Sequence, residues 1–506
     1  MFVNFSMLRI LISILLITNL LSNDIDNNPN LESRIRLFEE WMNTQMDYLS
    51  LNGVSVGIVH NQELVYYKGF GFADEDNQIM ADEHTNYRIA SITKIFTSIA
   101  LMKLVEEGAI KLNDPVTKYI PELYNIQTNG YDVEKITIKS IMRHTTGLPR
   151  NTIFFWDNEK KQKPISIDEA LKGLKKQRII YKPNRIYKYS NLAILLGGEV
   201  IKRVSKIDYN DYIKNNIFIP IGMSHRSVYV DNKIIDNLAV GYGRLIDGHR
   251  NQHEWTSMIR PTSFASGGIV SNVADLSKFV MWHFRLLNNK ENYIISYKTL
   301  KKMQKVHWVG IPFKTHPIIM SPIVFLSNTF INVGNGLGYF NSFQFVGHNG
   351  ANPGYATQLL MDNNNNIGII VLANSDDAPV YSFQDRSISK NLYNIVGKAL
   401  LNDKDSNDYR WSEYENVYFE AEEFLSGYFI TSIDDNLAIV DLSDPDPLKY
   451  PILLKELGSD SFKLPMSSWH SPGEIIHFER DNENKIVSLN WINSRLYLKD
   501  QKNNKP

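Results

Sequence analysis

The spacing of apolar residues along this chain alternates between a helical and a strand period. Apolar side chains recur at helical spacing in residues 33–48 and again in 136–142, 167–177, 193–205, 209–216 and 273–287. Gly53–His60 and residues 63–70 are instead short, rich in β-branched and aromatic residues, and separated only by Asn61 and Gln62. This pattern predicts an N-terminal helix, a β-hairpin and then a long helical stretch.

Strand-like segments return near the end of this region. Residues 342–347, 355–362 and 367–373 are separated by turn-forming residues, which predicts an antiparallel meander, and a helix is expected over 383–401. Two strands at the start and three near the end imply one sheet assembled from both ends of a domain. We therefore predict an α+β fold, in which helices pack on both faces of this antiparallel sheet and an all-helical insertion joins its halves.

A polar segment, 403–407, separates this region from a run of short strand-like segments. These are 427–430, 437–442, 452–456, 462–464, 475–479 and 486–498. Such a run predicts a small antiparallel barrel or sandwich, and no catalytic constellation occurs in it. The predicted organisation is an N-terminal segment over 1–23, a main domain over 24–402 and a C-terminal all-β domain over 408–506.

The first residues indicate an export signal. A single arginine, Arg9, precedes the apolar run 10–21, which is interrupted by only three polar residues. The run is too short to span a bilayer comfortably and is typical of the apolar region of a secretory signal peptide. We expect a secreted or exported protein, with membrane anchoring by an uncleaved N-terminal segment as the alternative. Residues 27–32 are expected to form a linker.

Composition excludes several function classes. With 54 basic and 55 acidic residues the chain has almost no net charge, and no block of like charge suggests a nucleic-acid groove. It contains no cysteine, so neither a disulfide nor a thiol nucleophile is available. A P-loop, a dinucleotide-binding glycine fingerprint, an HExxH motif and a GxSxG elbow are all missing from the sequence. We expect no cofactor, no metal and no nucleic-acid partner.

The segment 88–109 carries the most specific chemistry. In Ser91-Ile92-Thr93-Lys94, an offset of three residues brings a hydroxyl and an amine to one face of a helix, roughly 5–6 Å apart at Cβ. The rest of the segment is strongly apolar, which predicts a buried helix. A lysine with its usual pKa of about 10.4 is protonated at neutral pH, but burial lowers that pKa. Lys94 can then serve as the base that a serine nucleophile needs.

Further motifs follow Ser91 in the chain. They are His144-Thr145-Thr146-Gly147-Leu148-Pro149, Tyr189-Ser190-Asn191, Pro220-Ile221-Gly222-Met223, Ser266-Gly267-Gly268-Ile269, and His348-Asn349-Gly350 with Gly354-Tyr355. With Ser91 and Lys94, they resemble the class C β-lactamase family in its broad sense. That family includes D-aminopeptidases, D-alanyl-D-alanine carboxypeptidases, family VIII esterases and mitochondrial β-lactamase-like proteases. The same serine–lysine spacing at Ser387 and Lys390 lacks such motifs, and we interpret it as an exposed helix face.

The resemblance implies a role for each matching residue. Ser91 is the nucleophile, and Tyr189 bridges Lys94 and the Ser91 hydroxyl, either as a phenolate or as a neutral relay of protons. Asn191 is expected to hydrogen-bond a substrate amide. The backbone N–H groups of Ser91 and Ala351 are expected to form the oxyanion hole.

The third motif departs from the β-lactamase pattern, because His348 stands where those enzymes often carry lysine. Histidine is cationic only part of the time near neutral pH, so it would bind the carboxylate of a β-lactam weakly. Gly350 is expected to let substrate lie against the strand edge without a Cβ clash. His144 and Gly147 are expected to form a tight turn beneath the site, and Gly267-Gly268 a second one.

These expectations describe a serine hydrolase that works through an acyl-enzyme. The expected substrate is a small peptide, amide or ester, and the enzyme a peptidase of the D-amino-acid or D-Ala type or a carboxylesterase. A β-lactamase is the first alternative. The second is a non-catalytic relative that binds peptides or serves as a scaffold.

Overall fold

The structure is a computed structural model that describes most of the chain. The described residues are 29–152, 165–223, 237–253, 264–288, 293–305, 334–335, 338, 340–341, 344–381, 386–401, 411–420, 427–433, 436–466, 473–491 and 494–498. They form two compact units, one within 51–384 and the other from the described residues up to 50 and from 386 onward. The domain boundaries inferred from the sequence stay predictions.

The strands are numbered in chain order through both units. They are β1 (Gly53–His60), β2 (Glu63–Asp74), β3 (Ile79–Met80), β4 (Tyr87–Arg88), β5 (Val270–Ser271), β6 (Gly334–Asn335), β7 (Phe340–Asn341), β8 (Phe345–Asn352), β9 (Tyr355–Asp362), β10 (Ile367–Ala373), β11 (Asn416–Glu420), β12 (Tyr428–Ile433), β13 (Asn436–Asp441), β14 (Ile452–Leu453), β15 (Lys455–Gly458), β16 (Ser461–Lys463), β17 (Ile475–Arg480), β18 (Ile486–Trp491) and β19 (Ser494–Leu498).

The helices are numbered in the same way. They are α1 (Pro29–Tyr48), α2 (Thr93–Glu106), α3 (Ile138–Met142), α4 (Ile167–Lys172), α5 (Asn191–Ser205), α6 (Tyr209–Ile213), α7 (Phe264–Gly267), α8 (Val273–Leu287), α9 (Tyr297–Gln304) and α10 (Ile388–Leu392). Single π-helical turns continue α6 at Lys214–Phe218 and α10 at Tyr393–Gly397.

The larger unit is built on one antiparallel sheet with strand order β3-β2-β1-β10-β9-β8-β7-β6. The first strand pairs with a strand about three hundred residues away, from Val54 opposite Ala373 to His60 opposite Ile367. The predicted sheet from both ends of the domain is therefore confirmed, as are the hairpin and the meander. Both β9 and β10 are buried along their whole length, so side chains on each face of the sheet are covered.

Helix α2 lies at the centre of the core of this unit. Its residues from Thr93 to Met102 are all buried, which fits a helix that is apolar on every side. Phe96 packs edge-on to Phe218, with ring centroids 5.4 Å apart, and against Phe279 of α8 at 4.7 Å. Gly108 follows the end of the helix with φ +74°, a left-handed conformation that glycine adopts without strain. The predicted buried helix is confirmed.

The smaller unit contains a nine-stranded antiparallel sheet with order β14-β13-β12-β11-β19-β18-β17-β16-β15. Strands β14 and β15 stand at opposite ends of this order, yet only Leu454 separates them in the chain. The sheet must therefore curl until its ends meet, which confirms the predicted barrel-like domain. Its interior holds an aromatic cluster of Trp411, Tyr414, Phe462 and Phe478.

Several element boundaries differ from the predictions. Helix α1 begins at Pro29, inside the segment expected to be a linker, because proline suits the first turn of a helix. The helix expected over 383–401 is broken into α10, a π turn and a short 3-10 turn. The single strand expected over 486–498 is a hairpin of β18 and β19. Strand β11 was missed.

The N-terminal segment 1–23 lies outside the described residues. Within the described part of the chain, no helix is long and apolar enough to cross a membrane. The same part contains no group of three or more acidic or histidine side chains arranged to hold a metal ion.

Two glycines offer a matched test of close packing in the larger unit. Gly147 has φ +75°, and a Cβ there would lie 1.9 Å from the carbonyl oxygen of Tyr181. Gly130 has φ +78° but nothing within 4 Å of that position. Both alanine variants should lose about 1–2 kcal/mol of unfolding free energy to left-handed strain. Gly147→Ala should lose at least about 2 kcal/mol more, because backbone must move. Thermal unfolding of both variants checks this, and equal shifts would contradict it.

Candidate active site

Ser91 lies in a 3-10 turn, Ala90–Ile92, between β4 and α2. Ala90 has φ +49°, a left-handed conformation that costs a residue with a Cβ about 1–2 kcal/mol. The preceding residue, Ile89, donates its N–H to the carbonyl of Ile269, and its own carbonyl accepts the Thr357 hydroxyl at 3.0 Å. These contacts from two sides hold the strained turn in place. The side chain of Ser91 is thereby presented at the start of the buried helix.

Lys94 lies one helical turn beyond Ser91 and is only 1% exposed. Its Nζ is hydrogen-bonded to Ser91 Oγ at 2.9 Å and also donates to the carbonyl of Ser266. Burial, with repulsion from Arg150 as the second cause, holds the pKa of Lys94 well below its usual value of 10.5. No carboxylate among the described residues pairs with the amine to offset this. A neutral amine, whose lone pair can accept a proton, is therefore favoured beside the hydroxyl.

Tyr189 approaches the same hydroxyl from another segment of the chain. Its phenol donates to Ser91 Oγ at 2.9 Å, and Lys94 Nζ lies 4.9 Å from the centroid of its ring. Burial raises the pKa of Tyr189, and this outweighs the opposite effects of the Ser91 hydrogen bond and of Arg150. Of the two roles left open by the sequence, this favours the neutral relay, since a phenolate would be costly here.

The helix cap that follows Tyr189 fixes its position. Ser190 is the N-cap of α5, where its hydroxyl accepts the Ala193 N–H and donates to the carbonyl of Pro149 at 2.6 Å. The N–H of Ser190 donates to Nδ1 of His144 at 3.2 Å. The His144 ring stacks on the Tyr189 ring, with centroids 4.3 Å apart. The phenol is therefore held by its ring as well as by its backbone.

The tight turn expected at His144 and Gly147 is present, whereas Gly267, expected in a second turn, is the last residue of helix α7. His144 has φ +55° and Gly147 φ +75°, so both residues are left-handed within one turn. Burial, followed by repulsion from Lys94, His348 and Arg150, lowers the pKa of His144 well below its usual value. Its neutral Nδ1 can therefore accept a hydrogen bond. Gly268 follows the end of α7, where a Cβ would lie 2.6 Å from the Cα of Phe264.

Asn191 begins α5, and its side chain is engaged within the protein. Its amide donates to the Asn151 side-chain oxygen at 2.8 Å, and its backbone N–H donates to the carbonyl of Arg150. The structure thus pairs it with a second amide, from a segment that the sequence analysis did not single out. The predicted contact between Asn191 and a substrate amide stays a prediction.

His348 lies in β8, opposite Leu359 of β9, and is only 3% exposed. Burial lowers its pKa to about 3, with the charge of Lys94 as a smaller cause. The hydrogen bond between its Nδ1 and the Asn349 carbonyl, at 2.5 Å, acts in the opposite direction but does not outweigh burial. The imidazole is therefore neutral across the physiological range, whereas the sequence suggested partial charge.

Gly350 allows β8 to approach the nucleophile turn closely. A Cβ at this position would lie 2.3 Å from the carbonyl oxygen of Ile89 and 3.1 Å from the Cβ of Ala90. The space next to Gly350 is thus filled by the protein's own turn, and not left for substrate as the sequence suggested. Ala351 follows in the same strand, so both segments predicted to supply oxyanion N–H groups meet at this junction. That role stays a prediction.

The structure also distinguishes the second serine–lysine pair. Ser387 is the N-cap of α10 and accepts the backbone N–H of Lys390 through its hydroxyl. The amine of Lys390 forms an ion pair with Asp446 at 2.6 Å. Its amine therefore has a carboxylate partner and is not directed at the serine. These contacts give the pair a structural role, but the expected exposed helix face is wrong, because Ser387 is only 1% exposed.

Sequence reasoning missed two contributors to the site. The Ser266 carbonyl accepts from Lys94, a backbone contact that leaves no trace in residue type. Arg150 places its guanidinium carbon 5.0 Å from the centroid of the Tyr189 ring. Its position immediately after the His144–Pro149 motif was the available signal, since a cation beside a proposed active-site turn merits attention.

Comparison with known proteins identifies what the chain is similar to. The model of the Beta-lactamase family matches residues 38–390. Protein flp from Staphylococcus aureus (strain MRSA252) is 27% identical over 366 residues, which cover 70% of this chain and 66% of that protein. The chain therefore spans about two thirds of the length of that relative.

Two solved structures share the fold. The octameric penicillin-binding protein homologue from Pyrococcus abyssi has a TM-score of 0.58 and 25% identity, and the match covers 91% of this chain and 99% of that one. The D-amino acid amidase from Ochrobactrum anthropi SV3, complexed with L-phenylalanine amide, has a TM-score of 0.57 and 21% identity. That match covers 73% of this chain and 99% of the amidase.

The protonation states of Lys94 and Tyr189 predict how Ser91 reacts with a fluorophosphonate at different pH values. Because burial lowers the pKa of Lys94, the neutral base persists to lower pH than in an ordinary lysine and is lost as pH falls through that lowered pKa. Because the pKa of Tyr189 is raised, its phenol keeps its proton into the alkaline range. The modification rate should therefore show an acid limb and a plateau from neutral to about pH 9.

Lys94→Arg provides the control for this profile. A guanidinium does not lose its proton, so the rate should fall by about 10²-fold or more on the plateau, and the variant should lack the acid limb. A wild-type rate that climbs tenfold per pH unit from neutral to about pH 10 would contradict the account, because it would give Lys94 an ordinary pKa.

Proposed function

The chain belongs to the beta-lactamase family of serine hydrolases, and on that premise we propose that it hydrolyses small peptides, amides or esters through an acyl-enzyme on Ser91. The observation that carries the proposal is the pair of 2.9 Å hydrogen bonds that join Ser91 Oγ to Lys94 Nζ and to Tyr189 Oη. The serine hydroxyl thus has a neutral base and a proton donor within hydrogen-bonding distance.

Acylation follows from this arrangement. Ser91 Oγ attacks the carbonyl carbon while its proton passes to Lys94 Nζ, and the carbonyl electrons move onto oxygen. Backbone N–H groups at Ser91 and Ala351 would stabilise that oxygen, each by about 3–4 kcal/mol. As the bond to the leaving group breaks, Tyr189 gives the leaving group its proton and takes one from the Lys94 ammonium. The amine and the phenol are then neutral again.

Deacylation uses the same groups in the reverse direction. A water molecule attacks the acyl carbon, and its proton passes through the Tyr189 hydroxyl to Lys94. The bond between the acyl carbon and Ser91 Oγ breaks, and Ser91 Oγ takes up the proton. Acid and free serine are the products, so one water is consumed in each cycle.

The neutral state of His348 supports esters, amides or peptides over β-lactams. A carboxylate bound beside the third motif would meet no positive charge on this side chain, because its pKa is about 3. The resemblance in fold to a protein named D-amino acid amidase is compatible with an amide substrate. A peptidase of the D-amino-acid or D-Ala type and a carboxylesterase both fit, and β-lactamase activity ranks below them.

A non-catalytic, peptide-binding role is the second candidate. The burial of Lys94 argues against it, since desolvating an amine costs stability and a scaffold has no use for one. Export from the cell remains part of the proposal, supported only by the apolar run at 10–21.

Labelling with a fluorophosphonate tests the nucleophile directly. The wild-type protein should form one covalent adduct, located on Ser91 by peptide mass spectrometry. Ser91→Ala should lose it, since no other serine among the described residues has both a buried amine and a phenol at bonding distance. Ser387→Ala is the matched control and should label as the wild type does. A folded wild-type protein without an adduct, or an adduct that persists in Ser91→Ala, would contradict the proposal.

Side-by-side turnover ranks the substrate classes. The expected order of kcat/KM places p-nitrophenyl esters or D-aminoacyl anilides above nitrocefin by at least about tenfold, because a missing charge contact costs 1.5–3 kcal/mol. Each rate is corrected with Ser91→Ala as the blank. Nitrocefin as the best substrate would reverse the ranking and favour the β-lactamase alternative.

A further inference from the structure

Arg150 extends over the tyrosine of the site from a fixed backbone. Its carbonyl accepts the N–H groups of Asn191 at 2.7 Å and Leu192 at 3.2 Å, so it caps the first turn of α5. Its side chain is exposed, and its guanidinium carbon lies 5.0 Å from the centroid of the Tyr189 ring. The hydroxyl of that ring is in turn 2.9 Å from Ser91 Oγ. A permanent cation therefore contacts the tyrosine that is hydrogen-bonded to the nucleophile. Because the side chain of Arg150 is exposed, a molecule in solution can reach it.

The charge of Arg150 acts together with burial, which is the larger effect, at several neighbouring groups. It acts on Lys94, His144, Lys188 and Tyr189, and in each case it lowers the pKa. Repulsion from Arg150 is thus one reason why neighbouring bases are neutral. A guanidinium itself stays protonated under all physiological conditions.

The protein does not neutralise this cation within its described part. No ion pair or hydrogen bond joins the Arg150 guanidinium to a carboxylate of the described residues, although Arg203, Arg250 and Arg480 each have such partners. The guanidinium carbon lies over the Tyr189 ring, and such a cation–π contact does not use the N–H donors of the group. The two donors on one side of a guanidinium match the two oxygens of a carboxylate.

We propose that Arg150 binds a carboxylate on the acyl group of the substrate, so that this enzyme prefers anionic esters or amides. The inference rests on the proposed function and names its substrate class. Arg150 directly precedes Asn151, whose side chain pairs with Asn191, the residue expected to hydrogen-bond a substrate amide. The carboxylate of the substrate would therefore bind at the turn beside Tyr189, and not at the third motif, where His348 is neutral.

A purely structural role for Arg150 makes a different prediction. A cation that only stacks on Tyr189 would support the ring equally for charged and uncharged substrates. A cation that binds substrate would change KM for anionic substrates above all. The ratio of kcat/KM between an anionic substrate and its neutral counterpart separates these two roles, because effects on the shared chemistry cancel.

The probes are mono-p-nitrophenyl esters of glutaric, adipic and pimelic acid, each compared with its methyl ester. Wild-type enzyme should favour the free acid by about tenfold or more for at least one chain length, mainly through KM. Arg150→Met should bring that ratio close to one, and Arg150→Glu should bring it below one. Arg150→Lys keeps the positive charge but lacks the paired N–H donors of the guanidinium, so it should give an intermediate ratio.

Lys182→Met is the control, since Lys182 is an exposed cation on the segment that leads to Tyr189. Its ratio should equal that of the wild type. The inference is overturned if wild type shows no preference at any length, or if Lys182→Met and Arg150→Met reduce the ratio equally, as general steering would. The thermal unfolding temperature of Arg150→Lys should equal that of the wild type, so a lower ratio in this variant would reflect weaker binding and not a folding defect. If the wild-type protein showed neither turnover of any probe nor labelling of Ser91, the proposed function itself would be overturned.

Discussion

The protein depends on keeping an amine uncharged beside a hydroxyl. Lys94 is buried among apolar side chains of α2, and burial makes its ammonium form expensive. The same loss of water raises the pKa of Tyr189 and lowers the pKa of His348 to about 3. All of these groups are thereby driven to their neutral forms. One physical cause, desolvation, sets the protonation states on which proton transfer at Ser91 depends.

The fold brings this arrangement together from distant parts of the sequence. The nucleophile turn is supported by Thr357 on β9 and by the close approach of Gly350 on β8. Tyr189 is fixed by the N-cap of α5 and by stacking on His144. Three of these supports belong to β8, β9 and α5 and the fourth to the turn at His144, so Ser91, Lys94 and Tyr189 are positioned by the protein without help from substrate. Such preorganisation lowers the cost of reaching the transition state.

Much of this could be predicted because its determinants are local. The i, i+3 spacing places Lys94 next to Ser91 in any helix, and the turn-forming residues between strand-like segments gave β9 and β10 their observed bounds. The neutrality of His348 could not be predicted, because it follows from tertiary burial and not from residue type. The reason for Gly350 was misjudged for the same cause, since its neighbour is a turn 260 residues earlier in the chain. Arg150 belongs to no repeating sequence pattern that would have indicated its position beside Tyr189.

The most direct test measures the titration of Lys94 itself. Protein labelled with ¹³C at the lysine ε carbon gives one NMR signal for each side chain, and the signal lost in Lys94→Arg identifies Lys94. We expect that signal to titrate well below 10.5, the usual value for a lysine side chain. A Lys94 signal that titrates near 10.5 would mean that the amine is charged at neutral pH, and it would contradict the central claim.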